Sequence, residues 1–240
     1  QNYADKEYYL VDSLDLDALT ETDLQIVDSC LKVYHKAKYD TSKINAINVI
    51  VEESWDENVY PKYNDWVHLF VLQKLKAKHP APIIQHYKIA LAVALNNIGV
   101  VYYNQGDLPK ALAYYHKSLN IREEIGDKEG IAISLNNIGF VNQNQGDLPK
   151  ALEFYDKSLK IQEEIGDKQG IATSLNNIGS FYDSQGDIPK AIEFYHKSLN
   201  IREEIGDKEG IAVCLINIGA IEMKQGNFSD AISFVAKSLD

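Results

Sequence analysis

Residues 95–130 read LNNIGVVYYNQGDLPKALAYYHKSLNIREEIGDKEG. The stretch returns almost unchanged from Leu135 and from Leu175, and in a more worn copy from Leu215. Gly99, Gly139, Gly179 and Gly219 stand 40 residues apart each time. A fixed period of that size marks stacked supersecondary units, each burying its apolar face against the next. Within a copy the punctuation is equally regular. Gly106 stops one helical pattern, Asp107 caps the next with Pro109 in its first turn, and Gly126 then stops that one. Asp127 caps the helix that follows, and the same Gly-Asp pair recurs at 146–147, 166–167, 186–187 and 206–207. Loops this short force neighbouring helices to run antiparallel.

Upstream of the repeats the reading is less regular. Residues 1–19 form an acidic segment holding Tyr3, Tyr8 and Tyr9, with neither helical nor strand period, and are expected to be an irregular extended arm. Thr20 followed by Asp23 starts a helix, and Leu24, Val27, Leu31 and Tyr34 place one apolar face on it to about Lys38. Asp40-Thr41-Ser42 ends it and can cap a second helix striped by Ile44, Ile47, Val51 and Trp55. Pro61 suits the first turn of a third. That helix, read to about Lys78, is apolar nearly all round and should be covered on several sides. Residues 20–78 are therefore read as an N-terminal helical cap whose 41–78 part is a divergent helical pair. His79-Pro80-Ala81-Pro82 marks the join. Four units follow over 83–240, at about 87–126, 127–166, 167–206 and 207–240. The last stops part-way through its second helix with no closing cap, which reads as a piece of a longer protein whose array continues.

The bulk numbers narrow the function. Hydrophobic residues make up 45% of the 240 and charged residues 25%, as in ordinary globular chains. In a stacked array that length counts units, so one elongated array is expected rather than two globules. Net charge is −11, from 35 acidic and 24 basic residues. No window clusters Lys and Arg, so neither nucleic acid nor an anionic membrane surface is an expected partner. No stretch approaches the ~20 apolar residues of a membrane helix, so no direct insertion is expected. Cys30 and Cys214 sit in apolar helical patterns and read as buried free thiols. The six histidines show no ligand spacing, no nucleophile has a recognisable setting, and no phosphate loop follows the Gly-Asp turns. Catalytic residues, metal sites and cofactors are accordingly expected to be none.

The units resemble the tetratricopeptide repeat family in a long form of about 40 residues. Leu95, Ile98, Gly99 and Tyr102 match the signature of its first helix (helix A). Ala111, Tyr115 and Ser118 match that of its second (helix B), as do Ala151, Tyr155, Ser158 and Ala191, Tyr195, Ser198. Leu95 stands where the family has an aromatic, the closing proline is missing, and Asn142, Glu222 and Val235 replace expected aromatics. The resemblance implies an all-α right-handed α-solenoid of helix-turn-helix repeats on an N-terminal helical cap. At 100° per residue, Val93, Asn97, Val100 and Asn104 lie opposite the buried stripe of helix A. Later units supply Ile133, Asn137, Phe140 and Asn144, then Thr173, Asn177, Ser180 and Ser184, then Val213, Asn217, Ala220 and Lys224. In stacked pairs this face lines the concave groove, so an amide ladder beside apolar positions suits an extended peptide or protein segment. In the family, asparagine at the Asn97, Asn137, Asn177 and Asn217 positions contacts ligand backbone. The alternative is structural bonding, more so for Asn96, Asn136 and Asn176 nearer the helix seam. Phe140 reads equally as an anchor or as packing. The recurring Glu pairs at 123–124, 163–164 and 203–204 read as a solvated edge.

Residues 34–45, YHKAKYDTSKIN, further resemble the lead-in to repeat domains of Bacteroidetes-type sensor and regulatory proteins. That resemblance implies a non-enzymatic sensory or regulatory domain of a bacterial signalling protein, with an effector beyond residue 240. It favours an extracytoplasmic, periplasmic placement, with the cytoplasm as the alternative. Rival readings are a free-standing scaffold or adaptor, and a homodimer or self-association through the groove, for example by residues 1–19.

Overall fold

The computed structural model describes residues 5–54 and 56–227. Tyr3, Trp55, Val235 and the second helix expected in the last unit lie outside them. Among the described residues the chain forms eleven α-helices and no strand. They group into two compact units, residues 1–126 and residues 127–240.

In the first unit, α1 (Lys6–Tyr9) and a 3-10 turn (Leu16–Ala18) precede α2 (Glu21–Lys36), α3 (Asp40–Glu53), α4 (Tyr60–Lys74), α5 (Ala81–Asn104) and α6 (Leu108–Ile125). The described part of the expected extended arm is folded and packed. Leu14 is fully buried, Val11 and Leu19 join the same core as Val27, Leu31, Ile44 and Tyr63, and Tyr8 stacks on His35 at 4.8 Å. The Tyr9 hydroxyl donates to Asp28 at 3.2 Å, and Lys62 donates to the carbonyl of Ser13. Isolated apolar residues anchor this segment, which is why it shows no period.

Thr20 caps α2 as expected, accepting from the Asp23 N–H at 3.1 Å. Tyr39, rather than Asp40-Thr41-Ser42, precedes α3, and no side chain caps that helix. The stripe of α3 is Ile44, Ile47 and Ile50. Helix α4 stops at Lys74 and is not covered all round. Tyr63, Val67 and Val71 are buried while Leu69 stays 65% exposed. Consecutive helices pack on one another from α2 to α6, and α3 also touches α5.

The second unit holds α7 (Lys128–Asn144), α8 (Leu148–Ile165), α9 (Lys168–Ser184), α10 (Ile188–Ile205) and α11 (Lys208–Lys224). Its helices pair as α7 with α8 and α9 with α10, and the first helices of successive repeats also touch, α7 with α9 and α9 with α11. The Gly-Asp punctuation works as read. Gly166 takes a left-handed φ of 70°, which a side chain would strain, and ends α8. Asp167 then accepts from the Gly170 N–H at 2.9 Å to start α9. Asp107, Asp127, Asp147, Asp187 and Asp207 cap their helices in the same way.

Two contacts inside each of the first three repeats explain their most repeated letters. Ser118, Ser158 and Ser198 are buried, and each donates from helix B to a carbonyl of helix A, those of Ala92, Ala132 and Ala172, at 2.7 Å every time. The rings of Tyr115, Tyr155 and Tyr195 lie on Gly99, Gly139 and Gly179, where a Cβ would collide with them. Both cysteines are free and buried, as read.

Candidate peptide-binding face

In the first unit, Asn97 and Val100 are half-buried on α5, and Asn104 is exposed at its last position. Asn97 donates through Nδ2 to Asn64 Oδ1 at 3.3 Å. Asn64, buried on α4, donates in turn to the Ala94 carbonyl at 3.0 Å. The Asn97 amide is thus held by a second asparagine that carries no repeat signature.

The second unit presents the same face three times. On α7, Ile133, Asn137 and Phe140 share one side at helical spacing. Ile133 and Phe140 are about two-fifths exposed, and Asn144 is exposed at the helix end. On α9, Asn177 and Ser180 are half-buried and Ser184 is exposed. On α11, Asn217 is half-buried, with Val213, Ala220 and Lys224 exposed beside it.

The two asparagine series are not independent. Asn177 donates to Asn136 Oδ1 at 3.5 Å, and Asn217 donates to Asn176 Oδ1 at 3.0 Å. Each bond joins residues 41 positions apart, so an asparagine of one repeat is oriented by the preceding asparagine of the repeat before. One amide N–H is used in this way. The carbonyl and the second N–H of Asn177 and Asn217 are left as the groups a ligand backbone could meet. Asn136 is anchored in turn by donating to Ser174 Oγ at 2.8 Å, and Ser174 donates to Gln162 at 2.6 Å. Structural bonding and ligand contact are therefore parts of one arrangement.

Several expected face residues are engaged with the scaffold. The Lys224 ammonium bridges Asp183 on α9 at 2.9 Å. Ser184 donates to the Phe181 carbonyl at 2.7 Å, and Ser180 lies near the Tyr195 hydroxyl. Burial pushes that phenol up to about 12. Thr173 donates to the Gln169 carbonyl and accepts from Arg202 at 3.4 Å. The residues sequence reasoning passed over are Ile216 and Met223, half exposed on α11. A signal for Ile216 existed, since isoleucine there replaces the asparagine of Asn136 and Asn176. The recurring Glu pairs are an exposed edge. Glu124, Glu164 and Glu204 each meet a lysine of the same repeat, Lys88, Lys128 and Lys168.

A family model described as tetratricopeptide repeat matches residues 90–164 and 170–240. The chain belongs to the tetratricopeptide repeat family. Its repeats make it a protein-interaction module, one that binds protein or peptide partners. Among solved structures it is similar to BtubC (BKLC) from P. vanneervenii, at 20% identity and a TM-score of 0.66 over 94% of this chain and 90% of that one. It is similar also to the apo form of RapI, at 20% identity and a TM-score of 0.57 over 90% of this chain and 69% of that one. At such identity both bear on the fold alone, and both agree with all-helical repeat packing. No curated protein sequence matches significantly. Among the described residues no helix is long and apolar enough to cross a membrane.

Proposed function

We propose that the helix A faces of the repeats capture an extended peptide or protein segment. The observation that carries this reading is the placement of Asn177 and Asn217. Each is half-buried and held by a neighbouring asparagine, on a face that also leaves Ile133 and Phe140 of α7 and Val213 of α11 exposed. An amide oriented before the ligand arrives loses little freedom on binding. Its carbonyl and second N–H match the alternating acceptors and donors of an extended backbone, while the apolar neighbours take side chains.

Peptides selected on the protein from a random library test this. Asn137→Ala combined with Asn177→Ala should weaken their capture while helicity stays intact. Unchanged affinity in a direct titration would overturn the ladder.

The finer role proposed is that of a sensory or regulatory domain in a bacterial signalling protein, on the extracytoplasmic side. It rests on the likeness of residues 34–45 to such lead-ins. The gene beyond codon 240 decides it: an encoded effector domain supports the role, and an early stop codon sinks it.

A further inference from the structure

Helix α4 opens with Tyr60-Pro61, as α8 and α10 open with Leu148-Pro149 and Ile188-Pro189. Counting from these starts, Asp65 occupies the position of Glu153 and Glu193. Each of those glutamates is bridged at 2.6 Å by a lysine four residues on, Lys157 and Lys197. Four residues after Asp65 stands Leu69, so the lysine that would pair with it is missing.

The neighbouring helix differs at the corresponding place. Val101 on α5 is the copy of Val141, Phe181 and Ile221, all buried, yet Val101 itself is only half-buried. In the second unit Phe181 fills its seam together with Ala151, Tyr155 and Ile178. In the first unit two adjoining hollows of about 230 and 270 Å³ share Pro61, Val101 and Gln105. Asp65 lines one and Glu57 the other, with Tyr60 on the wall. Asn104, one of the candidate face residues, lines the hollow with Tyr60. No lysine or arginine lines either hollow. Partial removal from water pushes the Asp65 carboxyl up, against a smaller opposing pull from His68.

We propose that this double hollow takes a basic side chain, lysine or arginine, of the segment bound on the α5 face. The methylene stem lies along Val101, and the cation supplies the charge partner that the repeat pattern omits at Asp65, with Glu57 as a second anion. Asp65 and Glu57 are both exposed and so open to an arriving cation, and a charge-assisted contact is stronger than a neutral one. The inference rests on the peptide-binding reading above and adds a side-chain preference to it.

The probe is N-acetyl-arginine methylamide, with N-acetyl-norleucine methylamide as the apolar control, followed by NMR shifts of the Val101 methyls and the Gln105 amide. The arginine probe should shift both resonances and the norleucine probe neither. Asp65→Asn should weaken arginine binding roughly tenfold, the loss expected for one charge-assisted contact. Val101→Phe should abolish it by filling the hollow as Phe181 fills its own seam, and circular dichroism checks that both variants fold. Equal binding of the norleucine probe, or an unaltered affinity in Asp65→Asn, overturns the proposal. Library peptides that need the asparagines but show no basic preference would overturn it while sparing the groove reading. Arginine binding that survives when no library peptide is captured would do the reverse.

Discussion

The ring of Tyr195 lies so close on Gly179 that a Cβ there would come within 2.7 Å of it. Tyr195 is 3% exposed, so the ring has nowhere to move. Two effects then compete in Gly179→Ala. Alanine gains about 1 kcal/mol of helix propensity over glycine. Forcing a methyl into a filled core costs roughly 1–3 kcal/mol. Overpacking wins, and urea unfolding should show a net loss of about 1 kcal/mol. A stabilised variant would show that the ring gives way freely.

Ser158→Ala isolates the bond between helices α8 and α7. The Ala132 carbonyl that accepts from Ser158 is also part of the backbone of α7, so removing the hydroxyl leaves no bare buried acceptor. The expected cost is about 1 kcal/mol, that of one net hydrogen bond. A loss several times larger in chemical denaturation would mean that the contact with Ser174, 3.4 Å away, transmits the change.

Asp207 predicts an acid dependence. The Gly210 N–H holds its carboxyl below the ordinary range; burial pushes the other way, and the Arg202 guanidinium and Gln169 add to the lowering. A carboxyl whose pKa is lower folded than unfolded adds stability that is fully present above its unfolded value, about 3.9. That stability disappears as pH falls through the lowered native value. Wild type should therefore exceed Asp207→Asn by a constant margin at neutral pH, and the margin should shrink below about pH 4. A margin equally large at both ends would exclude the carboxylate charge as its source.

Burial also pushes the thiols of Cys30 and Cys214 up, each only partly offset by a serine hydroxyl beside it. Both should resist Ellman's reagent in the native protein at neutral pH and react together on adding urea. Prompt labelling of either thiol in the native state would contradict the packing around it.

What the chain discloses about itself divides by distance. Gly166 and Asp167 are legible because the left-handed turn and the cap are made within four residues. Tyr195 and Ser198 are legible as scaffold because their contacts lie inside one repeat and recur. The bonds from Asn177 to Asn136 and from Lys224 to Asp183 were not legible. Both span 41 residues, and which neighbour is met depends on how far one helix pair is offset from the next. The first nineteen residues misled for another reason. Leu14 is anchored singly, and one buried leucine makes no pattern. Tyr60-Pro61 was in plain view as a helix start, but the pairing of Asp65 emerges only when that start is matched with the later copies. For the face residues, helical angles alone could not say that the hydroxyl of Ser184 turns to the scaffold.

The seams of the second unit are closed by different chemistry at matching positions. Between α8 and α9 the closure is neutral, Gln162 with Ser174. Between α10 and α11 it is ionic, Arg202 with Asp207 at 2.5 Å, and Cys214 replaces the serine. The ionic closure is local: it joins residues five apart, across the turn that Asp207 caps. The two look-alike seams therefore answer differently to acid, which acts on the carboxylate facing Arg202 and leaves the amide–hydroxyl pair of Gln162 and Ser174 without a charge to lose.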